Sequence, residues 1–189
     1  MQASLPGCKI QHRHEINPIN QQTIKIRRYI QMSLGLVLAI AGAALAAILP
    51  GIGSACGVKL GGEAAAGVCS ENPDLFGKVL VIQILPGTQG IYGLLTAVLV
   101  MFKLNMFSGT LPELSVATGA AFFAACMPIA IVGLFSAIYQ AKCAVSAIHM
   151  TAKQPDASGK GIMMTALVET YAILALLISI LLIFFGVSI

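Results

Sequence analysis

Glu169 is the residue in this sequence whose position most strongly indicates chemistry. It lies near the start of LVETYAILALLISILLIFF, residues 167–185, an apolar run long enough to cross a bilayer. A carboxylate near the centre of a membrane helix costs about 2.5–3.5 kcal/mol on insertion scales. Such a residue is seldom there for packing alone, so we predict a binding or transport site at Glu169.

The composition is that of an integral membrane protein. Of the 189 residues, 58% are hydrophobic and 10% are charged, whereas about a quarter of a soluble domain is charged. The five cysteines show no metal-ligand or CxxC spacing, and the basic residues are scattered beside apolar segments. The sequence therefore predicts a lipid bilayer as surroundings, with no organic cofactor and no nucleic-acid partner.

Four apolar segments predict an all-α fold with four transmembrane helices. They run from about residue 32 to 69, 79 to 104, 114 to 151, and 161 to the C-terminus. Short polar turns, SENPDLFGK and KQPDASGK, join the members of each pair, which makes two antiparallel hairpins. The first and third segments would be roughly 57 Å long as continuous helices, so we expect them to protrude into water near the turns.

The two hairpins are copies of one another. Residues 51–78 align without a gap on residues 133–160, an offset of 82, and eight of the 28 positions are identical. The matching Pro-Asp-x-x-Gly-Lys turns argue against chance similarity between membrane helices. We interpret the chain as a duplicated hairpin with parallel repeats. In this register Glu169 corresponds to Gly87, so one hairpin carries the acid and the other does not.

Counting from the turns brings other polar side chains to the depth of Glu169. Gln140 and Glu169 are equally distant from the middle of KQPD, and the repeat places Thr88 and Gln89 within about two residues of the same level. With Tyr92, this layer collects one carboxylate, two carboxamides, a hydroxyl and a phenol. These groups could simply form hydrogen bonds between helices, but their oxygens are also those that small hard cations prefer. Their number favours Na⁺ over a proton.

A stripe of small residues on the first helix has two interpretations. Gly53, Gly57, Gly61 and Ala65 recur every four residues and share one helix face. They could pack against the other helices of the same chain, or they could line a tight inner circle formed by many copies. On the same helix, Lys59 and Glu63 are spaced to form an ion pair.

Several of these motifs resemble one family. GIGSACGVKLGGEAAA, QILPGTQGIYG, PIAIVGLFSAIYQAK and VETYAIL are similar to the proteolipid, or K, subunits of bacterial V-type Na⁺-transporting ATPases, over about residues 32–189. The resemblance implies a non-catalytic rotor subunit, repeated in a ring, in a complex whose other subunits hydrolyse ATP. It implies as partners identical subunits, a stator membrane subunit, and a central-stalk subunit at the hairpin turns.

The resemblance also implies the members of the ion site. Na⁺ would bind Glu169, Gln140, Thr88, Gln89 and the backbone carbonyl of Leu85, and Tyr92 would hydrogen-bond Glu169. The alternatives are a proton-carrying ring and, in a different class, a stand-alone Na⁺ transporter or channel. Inverted repeats would favour a transporter, whereas these repeats are parallel. A purely structural pore would leave Glu169 unexplained.

The expected organisation has four parts. Residues 1–31 form an N-terminal extension that we expect to be disordered or not translated, with translation starting at Met32. Residues 32–104 form the first hairpin, 105–113 the connecting loop, and 114–189 the second hairpin with the ion-binding acid. Without the extension, five lysines lie on the turn side and one on the opposite side, which places the turns in the cytoplasm of a cell-membrane protein.

Overall fold

The computed structural model describes residues 18–108 and 112–187, apart from the side chains of residues 18–26 and 28–33. Within these residues the secondary structure is helical, without a strand. The helices are α1 (Pro18–Glu71), α2 (Phe76–Ile84), α3 (Thr88–Lys103), α4 (Val116–Lys153) and α5 (Ser158–Leu181). Short 3₁₀ turns lie at Pro73–Leu75, Leu85–Gly87, Met106–Ser108 and Pro155–Ala157, and a π-helical turn, Leu182–Gly186, continues α5.

Four stretches of the described residues are long and apolar enough to cross a membrane. They are Leu34–Glu71, Pro73–Lys103, Val116–Lys153 and Pro155–Gly186. The predicted all-α, four-span fold class is confirmed. The first and third stretches contain 38 residues each, which makes them longer than a hydrocarbon core of about 30 Å.

The two hairpin turns lie side by side at one end of the molecule. Each begins with a proline at the first position of a 3₁₀ turn, Pro73 and Pro155. In the first turn the Asn72 side chain accepts a hydrogen bond from the Asp74 N–H at 3.2 Å. The Lys78 ammonium, which follows this turn, donates to the Pro155 carbonyl at 3.0 Å. The repeated turn motif therefore brings the two hairpins together at their polar ends.

The helix of the second span is interrupted where the sequence places Pro86. This residue lacks an N–H and cannot continue the hydrogen-bond ladder, so α2 ends at Ile84 and a 3₁₀ turn, Leu85–Gly87, separates it from α3. The Thr88 N–H bonds to the Leu85 carbonyl in this turn. The helix of the second span is therefore broken at Pro86, directly before the predicted ligands.

The small-residue stripe packs inside the chain. A Cβ built at Gly53 would lie 2.6 Å from the Leu134 carbonyl oxygen, and one at Gly57 would lie 2.6 Å from the Pro86 Cβ and 3.2 Å from the Ala137 carbonyl oxygen. Glycine is needed here because α1 approaches α4 and the Pro86 turn too closely for a side chain. Of the two interpretations of the stripe, the structure supports intramolecular packing.

The first helix begins earlier than predicted. Residues 18–31, which the sequence interpretation assigned to a disordered or untranslated extension, are helical and continuous with the first span. Proline is favoured at the first helical position, and the following Gln, Ile, Lys and Arg residues are compatible with a helix. Extending a helix that already exists requires no new nucleus. Residues 1–17 lie outside the described residues, and the start at Met32 stays a prediction.

At the opposite end from the turns, Lys103 connects the two hairpins. Its ammonium donates to the carbonyl oxygens of Ile183 and Val187 at 2.5 Å and of Phe184 at 3.2 Å. These carbonyls belong to the last turn of the fourth span, where a helix leaves its acceptors without internal partners. A lysine from the first hairpin therefore caps the second.

Candidate functional site

Glu169 lies on α5, half-buried, at a contact between the two hairpins. It is 14 residues beyond Pro155, which corresponds to roughly 20 Å of helix from the turn. The Tyr92 hydroxyl of α3 donates a hydrogen bond to Glu169 Oε1. Tyr92 of the first hairpin thus contacts Glu169 of the second hairpin.

The two predicted glutamines meet in the centre of the molecule. Gln89 on α3 and Gln140 on α4 are both fully buried, with 0% of their surface exposed. Gln89 Nε2 donates to Gln140 Oε1 and lies 3.4 Å from Ser136 Oγ. Gln140 Nε2 donates to the Thr165 carbonyl of α5 at 3.1 Å. One chain of amides therefore joins the three spans at this level.

The start of α3 supplies further oxygens beside Gln89. Thr88 Oγ1 donates to the Leu85 carbonyl at 3.0 Å and lies 3.5 Å from Gln89 Oε1. The 3₁₀ turn around Pro86 is what places these three oxygens together. A hydroxyl, a peptide carbonyl and a carboxamide thus share one small region.

These contacts border the turn of α5 that leads to Glu169. Ser136 Oγ donates to the Val168 carbonyl at 3.2 Å, and Gln140 bonds to Thr165, four residues before the acid. Within the described residues, no hydrogen bond joins the Glu169 carboxylate directly to either glutamine. The structure therefore contains two adjoining parts: the Tyr92–Glu169 pair and the buried amide cluster.

All the residues predicted for the site lie in this region, but sequence reasoning missed some members of the network. Ser136 Oγ accepts from Gln89 and the Thr165 carbonyl accepts from Gln140, while Ser136 itself donates to the Val168 carbonyl and so connects α4 to α5. The repeat contained a signal, because Ser136 is identical to Ser54. Ser54 Oγ accepts a hydrogen bond from the Gly90 N–H at 2.9 Å, so both serines fasten the helices of a hairpin together.

The donor set suits a small hard cation. Carboxylate, carboxamide, hydroxyl and carbonyl oxygens are the ligands that such ions take in proteins, and a single carboxylate matches a single positive charge. No group of three or more His, Cys, Asp or Glu side chains able to hold a metal occurs in the described part of the chain. Soft or transition-metal chemistry therefore has no candidate centre among these residues.

The other described acids occupy different surroundings. They lie in turns, in the connecting segment or near helix ends: Glu63, Glu71, Asp74, Glu113 and Asp156. The predicted pair of Glu63 with Lys59 is present at 3.6 Å, with both side chains well exposed. An exposed pair of this kind contributes little to stability.

Comparison with known proteins shows that one protein family matches two separate stretches of this chain. The family of ATP synthase C subunits matches residues 41–100 and again residues 123–182. The two matches start 82 residues apart, the same offset as the internal repeat.

Two curated relatives resemble most of the chain. V-type sodium ATPase subunit K of Enterococcus hirae is 46% identical over 149 residues, which cover 79% of this chain and 92% of that protein. A-type ATP synthase subunit K of Methanocaldococcus jannaschii is 42% identical over 143 residues, which cover 76% of this chain and 61% of that protein.

Proposed function

The chain belongs to the family of ATP synthase C subunits, and from this premise we propose that it is the Na⁺-carrying rotor-ring subunit of a V-type ATPase. In this role the chain is a non-catalytic membrane subunit, and ATP is hydrolysed by other subunits. The observation that carries the proposal is the position of Glu169. It is a membrane-embedded carboxylate hydrogen-bonded to Tyr92 and adjoining a fully buried amide cluster.

The proposed Na⁺ ligands are the Glu169 carboxylate, the side-chain oxygens of Gln140, Gln89 and Thr88, and the Leu85 carbonyl. Glu169 neutralises the ion, which removes the large penalty of a bare charge in lipid. The neutral oxygens replace the water that Na⁺ loses when it enters the site. Tyr92 is proposed to hold the carboxylate at the contact between the hairpins.

A proton-carrying ring is the second candidate. A proton carrier needs the acid and at most one hydrogen-bond partner, which Tyr92 already supplies. The oxygens of Leu85, Thr88 and Gln89 near the start of α3, together with that of Gln140, have no evident use in proton transport. The sodium ATPase named among the relatives also supports Na⁺.

As partners we propose identical subunits in a ring, a stator membrane subunit beside the ion site, and a central-stalk subunit at the hairpin turns. We propose that the turns lie in the cytoplasm. If translation starts at Met32, the lysines near the turns, namely Lys59, Lys78, Lys142, Lys153 and Lys160, outnumber Lys103 at the other end. With residues 18–31 present, Lys25, Arg27 and Arg28 of α1 add to that other end and remove this bias.

The experiment that tests the proposal is ²²Na⁺ binding to the purified native oligomer across pH, with Li⁺ and K⁺ as competitors. We expect saturable Na⁺ binding that protons displace and that Glu169→Gln abolishes, because a neutral amide cannot balance the ion. Glu63→Gln is the matched control and should bind Na⁺ normally, since its carboxylate is exposed and pairs with Lys59 on α1. An oligomer that binds no Na⁺ at neutral or alkaline pH would be a proton rotor.

A further inference from the structure

Ser136 lies on α4, between the buried amides and the backbone of α5. It is itself buried, with 5% of its surface exposed. Its hydroxyl takes part in two hydrogen bonds: it donates to the Val168 carbonyl at 3.2 Å and accepts from Gln89 Nε2 at 3.4 Å. Ser136 therefore links a proposed Na⁺ ligand to the residue directly before Glu169.

The hydrogen bonds of Ser136 have a direction that the backbone imposes. A peptide carbonyl has no hydrogen to donate, so it can only accept. The hydroxyl hydrogen of Ser136 is therefore used on the Val168 carbonyl, and its oxygen is left to accept. Between the two ends of the Gln89 carboxamide, only the Nε2 end can donate to that oxygen.

The other side of the amide cluster imposes the same direction. The Thr165 carbonyl accepts from Gln140 Nε2 at 3.1 Å, which leaves Gln140 Oε1 to face Gln89. Gln89 donates to this oxygen from the same Nε2 atom that it presents to Ser136. Because the nitrogen of a carboxamide carries two hydrogens, each of the two acceptors can take one of them.

With both hydrogens engaged, the Gln89 carboxamide has one orientation. Its Nε2 faces Gln140 and Ser136, and its Oε1 lies on the side of Thr88, 3.5 Å from Thr88 Oγ1. The bond to Gln140 alone would fix which end of the amide faces that residue, but it would let the amide plane turn. The second bond, to Ser136, removes this freedom.

We infer that Ser136 is a positioning residue of the proposed Na⁺ site, which directs the Gln89 oxygen, and not its nitrogen, toward the cation. This role rests on the proposed function and adds to it a residue that does not touch the ion. Groups that hydrogen-bond a ligand in this way fix its orientation and raise metal affinity. A proton on Glu169 makes no use of the Gln89 oxygen, so Ser136 should favour Na⁺ over H⁺.

The internal repeat supplies a matched control. Ser54 is the counterpart of Ser136 in the first hairpin, and it is also buried, with 7% of its surface exposed. Its Oγ accepts from the Gly90 N–H at 2.9 Å. Within the described residues, no hydrogen bond joins it to a carboxamide. Both serines thus connect the helices of a hairpin, but only Ser136 contacts Gln89.

Binding of ²²Na⁺ to the purified native oligomer measures the effect. Ser136→Ala should weaken Na⁺ binding about tenfold, the lower end of the range for groups that orient metal ligands, because Gln140 still holds Gln89. Ser136→Cys replaces the oxygen by a weakly accepting sulfur on a side chain of similar shape. It should show the same loss and replaces Ser136→Ala should that variant fail to assemble. Ser54→Ala should bind Na⁺ with near-native affinity.

A second measurement separates positioning from general packing. The rate at which a hydrophobic carbodiimide labels Glu169 without Na⁺, followed across pH, reports protonation of this acid. Its midpoint should be the same in Ser136→Ala and in the unaltered chain, whereas the Na⁺ concentration that protects Glu169 should rise about tenfold.

Three results would overturn the role of Ser136. They are native Na⁺ affinity in both Ser136 variants, equal losses in Ser136→Ala and Ser54→Ala, and a shift of the labelling midpoint as large as the change in Na⁺ protection. In all three the unaltered oligomer still binds Na⁺, so the proposed function stands. An unaltered oligomer that binds no Na⁺ would contradict the proposed function, and the role of Ser136 with it.

Discussion

Gln89 and Gln140 are the neutral side chains that we propose as Na⁺ ligands beside the charged Glu169. Both are fully buried, and each uses its amide nitrogen to hold a neighbour: Gln89 bonds to Gln140, and Gln140 bonds to the Thr165 carbonyl. A buried amide is costly unless its polar atoms are paired. This pairing fixes the direction of the amide oxygens, which is what an ion that must lose its water requires.

Replacing either glutamine by leucine should therefore weaken Na⁺ binding by about 10–100-fold, the range typical for losing a group that orients metal ligands. The substitution removes an oxygen and leaves the remaining glutamine with an unpaired polar atom. Glu169 should still take up a proton. Equilibrium binding of ²²Na⁺ to the purified oligomers of Gln89→Leu and Gln140→Leu measures the change.

Gln83→Leu is the control for this pair, because Gln83 lies on α2 beside Gly61 and Gly62, one turn before the Pro86 break. It should bind Na⁺ with near-native affinity. Equal losses in all three variants would mean that the amides act through general packing of the spans, and the assignment of ligands would be wrong.

At the scale of elements, the break between α2 and α3 shapes the proposed site. Without Pro86 the second span would continue as an α-helix, and the Leu85 carbonyl would be one more acceptor in the ladder. The 3₁₀ turn instead brings Leu85, Thr88 and Gln89 together. Gly57 makes room for this turn on α1, because a Cβ there would be 2.6 Å from the Pro86 ring.

Gly57→Ala should consequently destabilise the folded subunit by about 1–3 kcal/mol, as expected for an overpacked contact between helices. Gly67→Ala on the same helix should be neutral or slightly stabilising, because nothing lies within 4 Å of its Cβ and alanine favours helix. Thermal unfolding of the two variants in detergent compares them. The prediction fails if Gly57→Ala is as stable as Gly67→Ala.

Lys103 should contribute measurably to the stability of the end opposite the turns. Its ammonium donates to three carbonyls at the end of the fourth span, and hydrogen bonds to charged groups are each worth about 1.5–3 kcal/mol. Lys103→Met should lower the unfolding temperature and increase hydrogen exchange at residues 182–187.

Lys78→Met provides the comparison for Lys103→Met, since Lys78 makes a single exposed bond, to Pro155. It should have a much smaller effect on unfolding. If Lys103→Met leaves both the unfolding temperature and exchange at residues 182–187 unchanged, the cap has no energetic role.

At the scale of the whole molecule, duplication followed by divergence explains why one chain carries a single acid at the level of the candidate site. The two hairpins share their turns, their serines and the lengths of their apolar spans, yet only the second has a carboxylate at the level of the candidate site. The first contributes Thr88, Gln89 and Tyr92 in its place. The proposed site is thus shared between the two hairpins, as the Tyr92–Glu169 hydrogen bond between them illustrates.

The sidedness of the whole molecule is directly testable. If the turns are cytoplasmic, Asp156→Cys in a cysteine-free chain should react with a membrane-impermeant maleimide only in inside-out vesicles. Glu113→Cys, near the other end, should react only in right-side-out vesicles. The opposite pattern would reverse the proposed orientation and would place the lysine-rich end outside, contrary to the usual distribution of basic residues.

The sequence by itself determined the number of spans, the duplication and the depth of the site. Apolar segment length sets the spans, and counting from a shared turn sets depth because helical rise is constant. Gln140 and Glu169 could be placed at one level for this reason. The break at Pro86 is likewise a local effect of the sequence, since proline lacks the N–H that would continue the helix.

Only the tertiary structure decided which side of each helix meets which neighbour. The glycine stripe of α1 faces inward and packs on α4, and α1 extends back to Pro18. Gln89 donates to Gln140, and these two glutamines are also bonded to Ser136 and to the Thr165 carbonyl. Rotation about a helix axis and the pairing of buried amides depend on packing between helices distant in sequence. Sequence spacing gives a residue its depth, whereas close contact with the other spans gives it its partner.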